Sequence, residues 1–214
     1  MTHKKCFPIL LAFILVTCFS LPAVADNARN VLDKTANKLK SSGGLQANFE
    51  ATSYKGSSVS GNTSGTIHVS GNKFKITSPQ MTTWFDGKTQ WSLMNGSDEA
   101  YVSTPTAAEL QTVNPYSFVN LYKKGYNIQM TTTDYSGISC YEVRLTAQNK
   151  SSRISEMRIV IDKSSYWPLS VRVKQQGNWV RIRVGTISTG KKWNDSFFRF
   201  SKSDHPNVEV IDLR

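Results

Sequence analysis

Two periods alternate along the chain. Across residues 27–42 the positions Ala28, Val31, Leu32, Thr35, Ala36 and Leu39 fall on one face of a 3.6-residue repeat, which predicts a helix capped by Asp26 or Asn27. Gly43-Gly44 stops it. Over residues 45–51 the period drops to two, with every odd position apolar and every even one polar, the pattern of a half-buried strand. Residues 55–64, rich in Gly, Ser and Asn, read as a hairpin loop. Strands follow at 65–69 and 73–77, joined by Ser70-Gly71-Asn72. Two more, at 81–85 and 88–94, flank Asp86-Gly87, a two-residue hairpin signal. Another strand is expected at 99–103.

The middle of the chain breaks this pattern. Thr104-Pro105 predicts a short helix through about Thr112, with Thr as cap and Pro in the first turn. Asn114-Pro115 repeats the device for a second helix through about Lys124, with Tyr116, Phe118, Val119, Leu121 and Tyr122 on its apolar side. Strands resume at 126–132, 138–147, 154–162, 169–175 and 179–188, and short ones close the chain at 197–200 and 208–213. This amounts to ten or more strands and three helices, with no linker long enough to divide them. Consecutive hairpins imply one large antiparallel sheet. Such a sheet twists and curls. It must cover its apolar face with the helices or close on itself.

The first residues read as an address. Lys4 and Lys5 precede an apolar run at 7–19, and Ala23-Val24-Ala25 is the small-x-small pattern of a cleavage site. The run is too short to span a bilayer comfortably. The expected organisation is a cleaved secretory signal at 1–25 and one domain at 26–214. Val16-Thr17 before Cys18 does not fit a lipidation site. Cleavage removes Cys6 and Cys18, so Cys140 alone remains and no intramolecular disulfide forms.

Composition narrows the class. In 214 residues, 5 Trp, 8 Tyr and 10 Phe are ample core material and exclude a disordered chain. The formal charge is +11, from 26 Lys+Arg against 15 Asp+Glu. Only Lys123-Lys124, Arg181 with Arg183, and Lys191-Lys192 are close basic groups, a dispersion that argues against nucleic acid as a partner. Arg181 and Arg183 share one face of their strand, opposite Val180, Ile182 and Val184. That face is either simply solvated or a patch for acidic proteins or anionic lipid heads.

Reactive constellations are scarce. His68 and His205 have no partner at ligand spacing, so no metal is expected. There is no G-x-S-x-G elbow and no phosphate-binding glycine run. Cys140 alternates with Tyr141 and Val143, as a small strand residue with no evident base. What stands out is apolar excess on strands: Phe49, Phe74, Ile76, Met81, Phe85, Trp91, Leu93, Ile128 and Met130. A filled core accounts for it. A cavity for acyl chains accounts for it too, gaining about 0.8 kcal/mol per buried CH₂. If Phe74 lines such a cavity, Phe74→Glu lowers acyl binding without unfolding the chain.

Phe85-Asp86-Gly87-Lys88-Thr89-Gln90-Trp91 resembles the x-D-G-K-x-x-W hairpin of the periplasmic lipoprotein carrier family, LolA. The order around it matches: an N-terminal helix, the 45–49 strand, Gly65-Thr66-Ile67, Lys73-Phe74-Lys75-Ile76, the N-P helix opening at Asn114-Pro115, and an F-x-F close at Phe198-Arg199-Phe200. The resemblance covers most of 27–214. It implies a mainly β fold with some α, an unclosed antiparallel β-barrel (a half-barrel) under a helical lid. It also implies a soluble periplasmic carrier, monomeric, that takes the acyl chains of lipoproteins from an inner-membrane ABC transporter to an outer-membrane receptor. Neither catalysis nor a cofactor is implied. The motif-matched cavity positions are Phe49, Phe74, Ile76, Trp91 and Phe118, and the lid helix carries Tyr116, Val119, Leu121 and Tyr122. Well-studied members place Arg-Pro before the K-F strand, and that Arg latches the lid. Here the segment is Ser70-Gly71-Asn72-Lys73, and Lys73 is the candidate latch, a charge without a planar fork. The rival readings are an envelope sensor that binds lipid or protein with the same fold, and a hydrolase of envelope lipid or glycan. The hydrolase needs a convergent acid–base or nucleophile–His site, which the sequence does not offer.

Overall fold

Helix α1 (Pro22–Ser41) packs the face predicted for it, burying Ala28, Val31, Leu32, Thr35 and Ala36. It starts before the expected cap, so the predicted cleavage point after Ala25 falls within its first turns. The computed structural model describes residues 22–107, 109–110 and 121–214. Most of the predicted leader and the body of the predicted second short helix, with Tyr116, Phe118 and Val119, lie outside these residues. Gly43 ends α1 at φ +72°, a conformation that suits glycine.

Twelve strands form one sheet in the order β12-β6-β5-β4-β3-β2-β1-β11-β10-β9-β8-β7. They are β1 (Gly44–Lys55), β2 (Ser58–Ser70), β3 (Lys73–Thr77), β4 (Met81–Phe85), β5 (Gln90–Met94), β6 (Glu99–Ser103), β7 (Tyr126–Tyr135), β8 (Ile138–Ala147), β9 (Ile154–Asp162), β10 (Pro168–Gln175), β11 (Asn178–Lys191) and β12 (Glu209–Asp212). Two meanders, β1–β6 and β7–β11, join where β1 pairs with β11. The sheet ends at β12 and β7 without closing on itself, as an unclosed half-barrel does. Among the described residues all pairings are antiparallel except β12 on β6, which is parallel.

The structure corrects four local expectations. Residues 55–64 are not a loop: β1 runs to Lys55, the chain turns only at Gly56-Ser57, and β2 takes up the rest from Ser58. Their polar side chains carry no core signal, but their backbones complete the ladder between β1 and β2. The Asp86-Gly87 turn is longer than two residues, because the Asp86 N–H bonds to the Thr89 carbonyl at 3.2 Å and β5 begins only at Gln90. The helical turn after β6 is capped by Thr106 rather than Thr104. Glu109 returns a bond to the Thr106 N–H at 2.8 Å, and the Glu109 N–H bonds to Thr106 Oγ1 at 3.3 Å, a capping box. Finally, Phe197 and Phe198 lie in a 3-10 turn (Asp195–Phe198) capped by Asn194, not in a strand.

Side chains alternate between two faces, and both are covered over part of the sheet. On one, α1 supplies Val31 and Leu32 to a large core with Leu45, Ala47, Ile67, Val143, Leu145, Ile159 and Val171. On the other, over β4–β6, the C-terminal segment brings Val208 and Phe200 onto Trp84, Trp91, Leu93 and Ala100.

Candidate functional site

Register places an unbroken apolar row on the α1 face. Met130 on β7 lies opposite Val143, Val143 opposite Ile159, Ile159 opposite Val171, Val171 opposite Ile182, and Ile182 opposite Ala51 on β1. Six consecutive strands therefore contribute no charge to this row. Val143, Ile159 and Val171 are buried beneath α1 and its neighbours. Toward the centre of the sheet the cover thins: Phe49, Ala51, Val180, Ile182 and Val184 are only half-buried. Water still reaches an apolar surface here, the condition under which an acyl chain gains most by lying down.

Phe49 closes one side of this patch. Its ring lies over Gly65 on β2, where a Cβ would stand 2.8 Å from Phe49 Cζ and 2.2 Å from the Thr77 carbonyl oxygen. Gly65 thus makes room for the ring. Ile76 is partly buried on the same face, packed on the core. Phe74 shares that face too but is 1% exposed, stacked on Phe85 at 5.1 Å. Trp91 does not join them. It pairs with Trp84, whose chain neighbour Phe85 pairs with Phe74, so Trp91 and Phe74 lie on opposite faces. Among the described residues the structure therefore brings together Phe49, Phe74 and Ile76 and separates Trp91. Phe118 lies outside the described residues. Val180, Ile182 and Val184 join the patch although only their shared face, not their role, was legible in sequence.

The described end of the predicted lid is tied to α1. Leu121 and Tyr122 are buried. The Tyr122 hydroxyl donates to Asp33 Oδ1, and Arg29 Nη1 reaches the Tyr122 carbonyl at 3.4 Å. Burial first, and the bond to Asp33 second, raise the Tyr122 hydroxyl well above the ordinary tyrosine pKa. Lys73, the candidate latch, pairs instead with Asp195 at 2.6 Å, on the 3-10 turn of the C-terminal segment.

The family-like motifs converge on the second face. Asp86 accepts the N–H groups of Lys88 at 3.0 Å and Thr89 at 2.9 Å, and pairs with Arg199 at 3.0 Å. Phe200 meets Trp84 edge-on at 5.7 Å, and Lys75 Nζ stands 4.8 Å from the Phe197 ring. The D-G-K turn and the F-R-F segment thus fasten the C-terminal strap to β3–β6. Burial pushes the Asp86 carboxyl up, but the Thr89 and Lys88 N–H groups and Arg199 more than reverse this and leave its pKa lowered. With a folded pKa below the unfolded one, Asp86 stabilises the fold above the unfolded pKa, and this is lost as pH falls through the folded value. Asp86→Asn is expected to cost about 1–2 kcal/mol at neutral pH. Urea titrations should show the gap from the parent shrinking in acid, and a gap constant with pH would refute the assignment.

His68 and Cys140 have structural surroundings. His68 lies edge-on to Trp193 and Phe197, at 5.4 Å and 5.1 Å, with its pKa lowered by burial and then by Lys75. Cys140 is buried, and burial, followed by Asp162 and Asp134, raises its thiol pKa. Among the described residues no helix is long and apolar enough to cross a membrane.

A family model described as outer membrane lipoprotein carrier protein LolA matches residues 18–177. No curated protein matches the sequence significantly. Among solved structures the chain is similar to an uncharacterized conserved protein from Thermus thermophilus, at 11% identity and a TM-score of 0.59, over 87% of this chain and 99% of that one. It is also similar to a LolA superfamily protein from Nitrosomonas europaea, at 10% identity and a TM-score of 0.45, over 81% and 97% of the two chains. A third likeness is to the lipoprotein LppX of Mycobacterium tuberculosis, at 15% identity and a TM-score of 0.46, over 78% and 98%. At such identities the Thermus thermophilus structure speaks for the fold alone.

Proposed function

The chain belongs to the outer membrane lipoprotein carrier protein family, LolA, and we propose that it is a carrier of acylated cargo whose chains lie on the half-covered apolar patch around Phe49 and Ile182. In this reading residues 1–25 direct export to the periplasm and are removed. The mature monomer then takes acylated lipoproteins from an inner-membrane ABC transporter to an outer-membrane receptor. It binds by burial, without catalysis or a cofactor. The observation that carries the reading is the charge-free row across β7–β11 and β1, buried at Val143, Ile159 and Val171 and half-open at its β11–β1 end. A CH₂ contributes about 0.8 kcal/mol when fully buried. A half-open patch withdraws only part of each chain from water, which suits cargo that must be released.

The test is binding of a fluorescent long-chain acyl probe to the purified chain. Saturable binding is expected, and Phe49→Glu with Ile182→Glu should weaken it by about tenfold or more, because a carboxylate set against an acyl chain loses its hydration. Both side chains are half-buried, so the double variant should keep a cooperative melt. Absence of probe binding by the parent chain, or equal binding by a folded double variant, sinks the proposal.

A further inference from the structure

The reverse side of the same strands carries a second row. Arg144 on β8 lies opposite Arg158 on β9, Arg158 opposite Arg172 on β10, and Arg172 opposite Arg181 on β11. Neighbouring strands are about 4.8 Å apart, so four guanidinium groups stand abreast over roughly 14 Å. Like charges directly opposite across strands are destabilising. Such a row therefore costs the fold something, and a structural role alone does not account for it.

Its surroundings hold it in place. Glu156 accepts from Arg144 Nη2 at 3.1 Å and from Arg158 Nε at 2.8 Å, which steadies that end. Arg158 and Arg172 lie over the Trp179 ring at 5.5 Å and 4.9 Å, and Arg181 over Tyr54 at 5.8 Å. Among the described residues, the Nε atoms of Arg172 and Arg181 are buried without a hydrogen-bond partner. Rings thus orient these two planes and the Nε edges are covered, so an incoming acceptor would approach the Nη edge of each fork.

The flanking rows limit the shape of an occupant. On one side run Glu142, Val160, Ser170, Arg183 and Glu50 in register; on the other, Glu156 lies opposite Lys174. A broad anionic plane, such as a membrane surface, meets these glutamates together with the arginines. A narrow acidic chain lying along the central row meets the arginines. Trp179 is stacked against cations and offers no free wedge for a bilayer.

We propose that the row Arg144–Arg158–Arg172–Arg181 binds an extended acidic segment of a partner protein, whose Asp and Glu carboxylates are taken by forked N–H pairs. The row lies on the face opposite the apolar patch, so the partner docks without displacing acyl cargo, and the inference stands whether or not the carrier reading holds.

Fluorescence anisotropy of a labelled oligoglutamate peptide with the full chain tests it. Binding is expected that weakens as salt is raised. The double variant Arg172→Gln with Arg181→Gln should weaken it by about tenfold or more. Arg172→Lys with Arg181→Lys keeps the charge and should show an intermediate loss, because an ammonium lacks the fork. Lys88→Gln, on the Asp86 turn, should change nothing. The proposal is overturned if the parent chain fails to bind the peptide, or if the folded Gln variant binds as the parent does. It is overturned equally if phosphatidylglycerol vesicles are bound through these arginines and the peptide is not.

Discussion

Phe74→Ala lowers the unfolding free energy by about 3–5 kcal/mol, the range for deleting a buried aromatic ring from a packed core. Phe74 is 1% exposed, and its ring lies between cross-strand neighbours, Val69 on β2 and Phe85 on β4. Phe85 is itself buried and stacks on it at 5.1 Å, so removal leaves a cavity that the paired strands on either side fill poorly. Against a total stability of roughly 5–15 kcal/mol, that is a large share. Phe74→Glu is expected to be worse and to leave the chain unfolded, since a carboxylate there has no partner and no water. Urea unfolding of Phe74→Ala, with Ile76→Ala on the same strand as the half-buried comparison, checks this. A loss under about 1 kcal/mol for Phe74→Ala would mean that the ring lines a space rather than fills one. Acyl binding would then have to be reassigned to include it.

That distinction was beyond the sequence for a definite reason. Periodicity reports which residues share a face, but not which face is covered when both are apolar. In β4, Trp84 and Phe85 are neighbours and both are buried, on opposite sides of the sheet. The pattern of 81–85 is therefore silent on which of them accompanies Phe74, and Trp91 follows Trp84 to the far side. Helix α1 was legible because its apolar positions fall on one stripe. The strands at 138–147 and 154–162 were legible because alternation and length agree, and their bounds match β8 and β9. The polar stretch of β2 was not, since serine, threonine and asparagine mark a loop as readily as an exposed strand. The arginine row was hidden by sequence distance. Arg144, Arg158, Arg172 and Arg181 look dispersed along the chain, and only the register of four strands sets them abreast.

Gly65→Ala is expected to cost about 2–3 kcal/mol, at the upper end for overpacking, and to weaken acyl binding as well. The two effects have different origins. The new methyl carbon would stand 2.2 Å from the Thr77 carbonyl oxygen, a backbone atom of β3, and 2.8 Å from Phe49 Cζ, the end of a side chain. The ring can swing away; the strand can move only by loosening the β2–β3 pairing between Thr66 and Thr77. Stability therefore answers mainly to Thr77, and binding to Phe49. A double-mutant cycle separates them. Phe49→Ala alone should weaken probe binding, and adding Gly65→Ala should weaken it little further, because the ring that the methyl displaces is already gone. Most of the stability cost should persist in the pair, because the clash with Thr77 remains. If the two changes instead weaken binding additively, Gly65→Ala does not act through the Phe49 ring; if Phe49→Ala alone leaves binding unchanged, Phe49 does not form the wall of the site, and the patch must be centred further along β11, toward Val180.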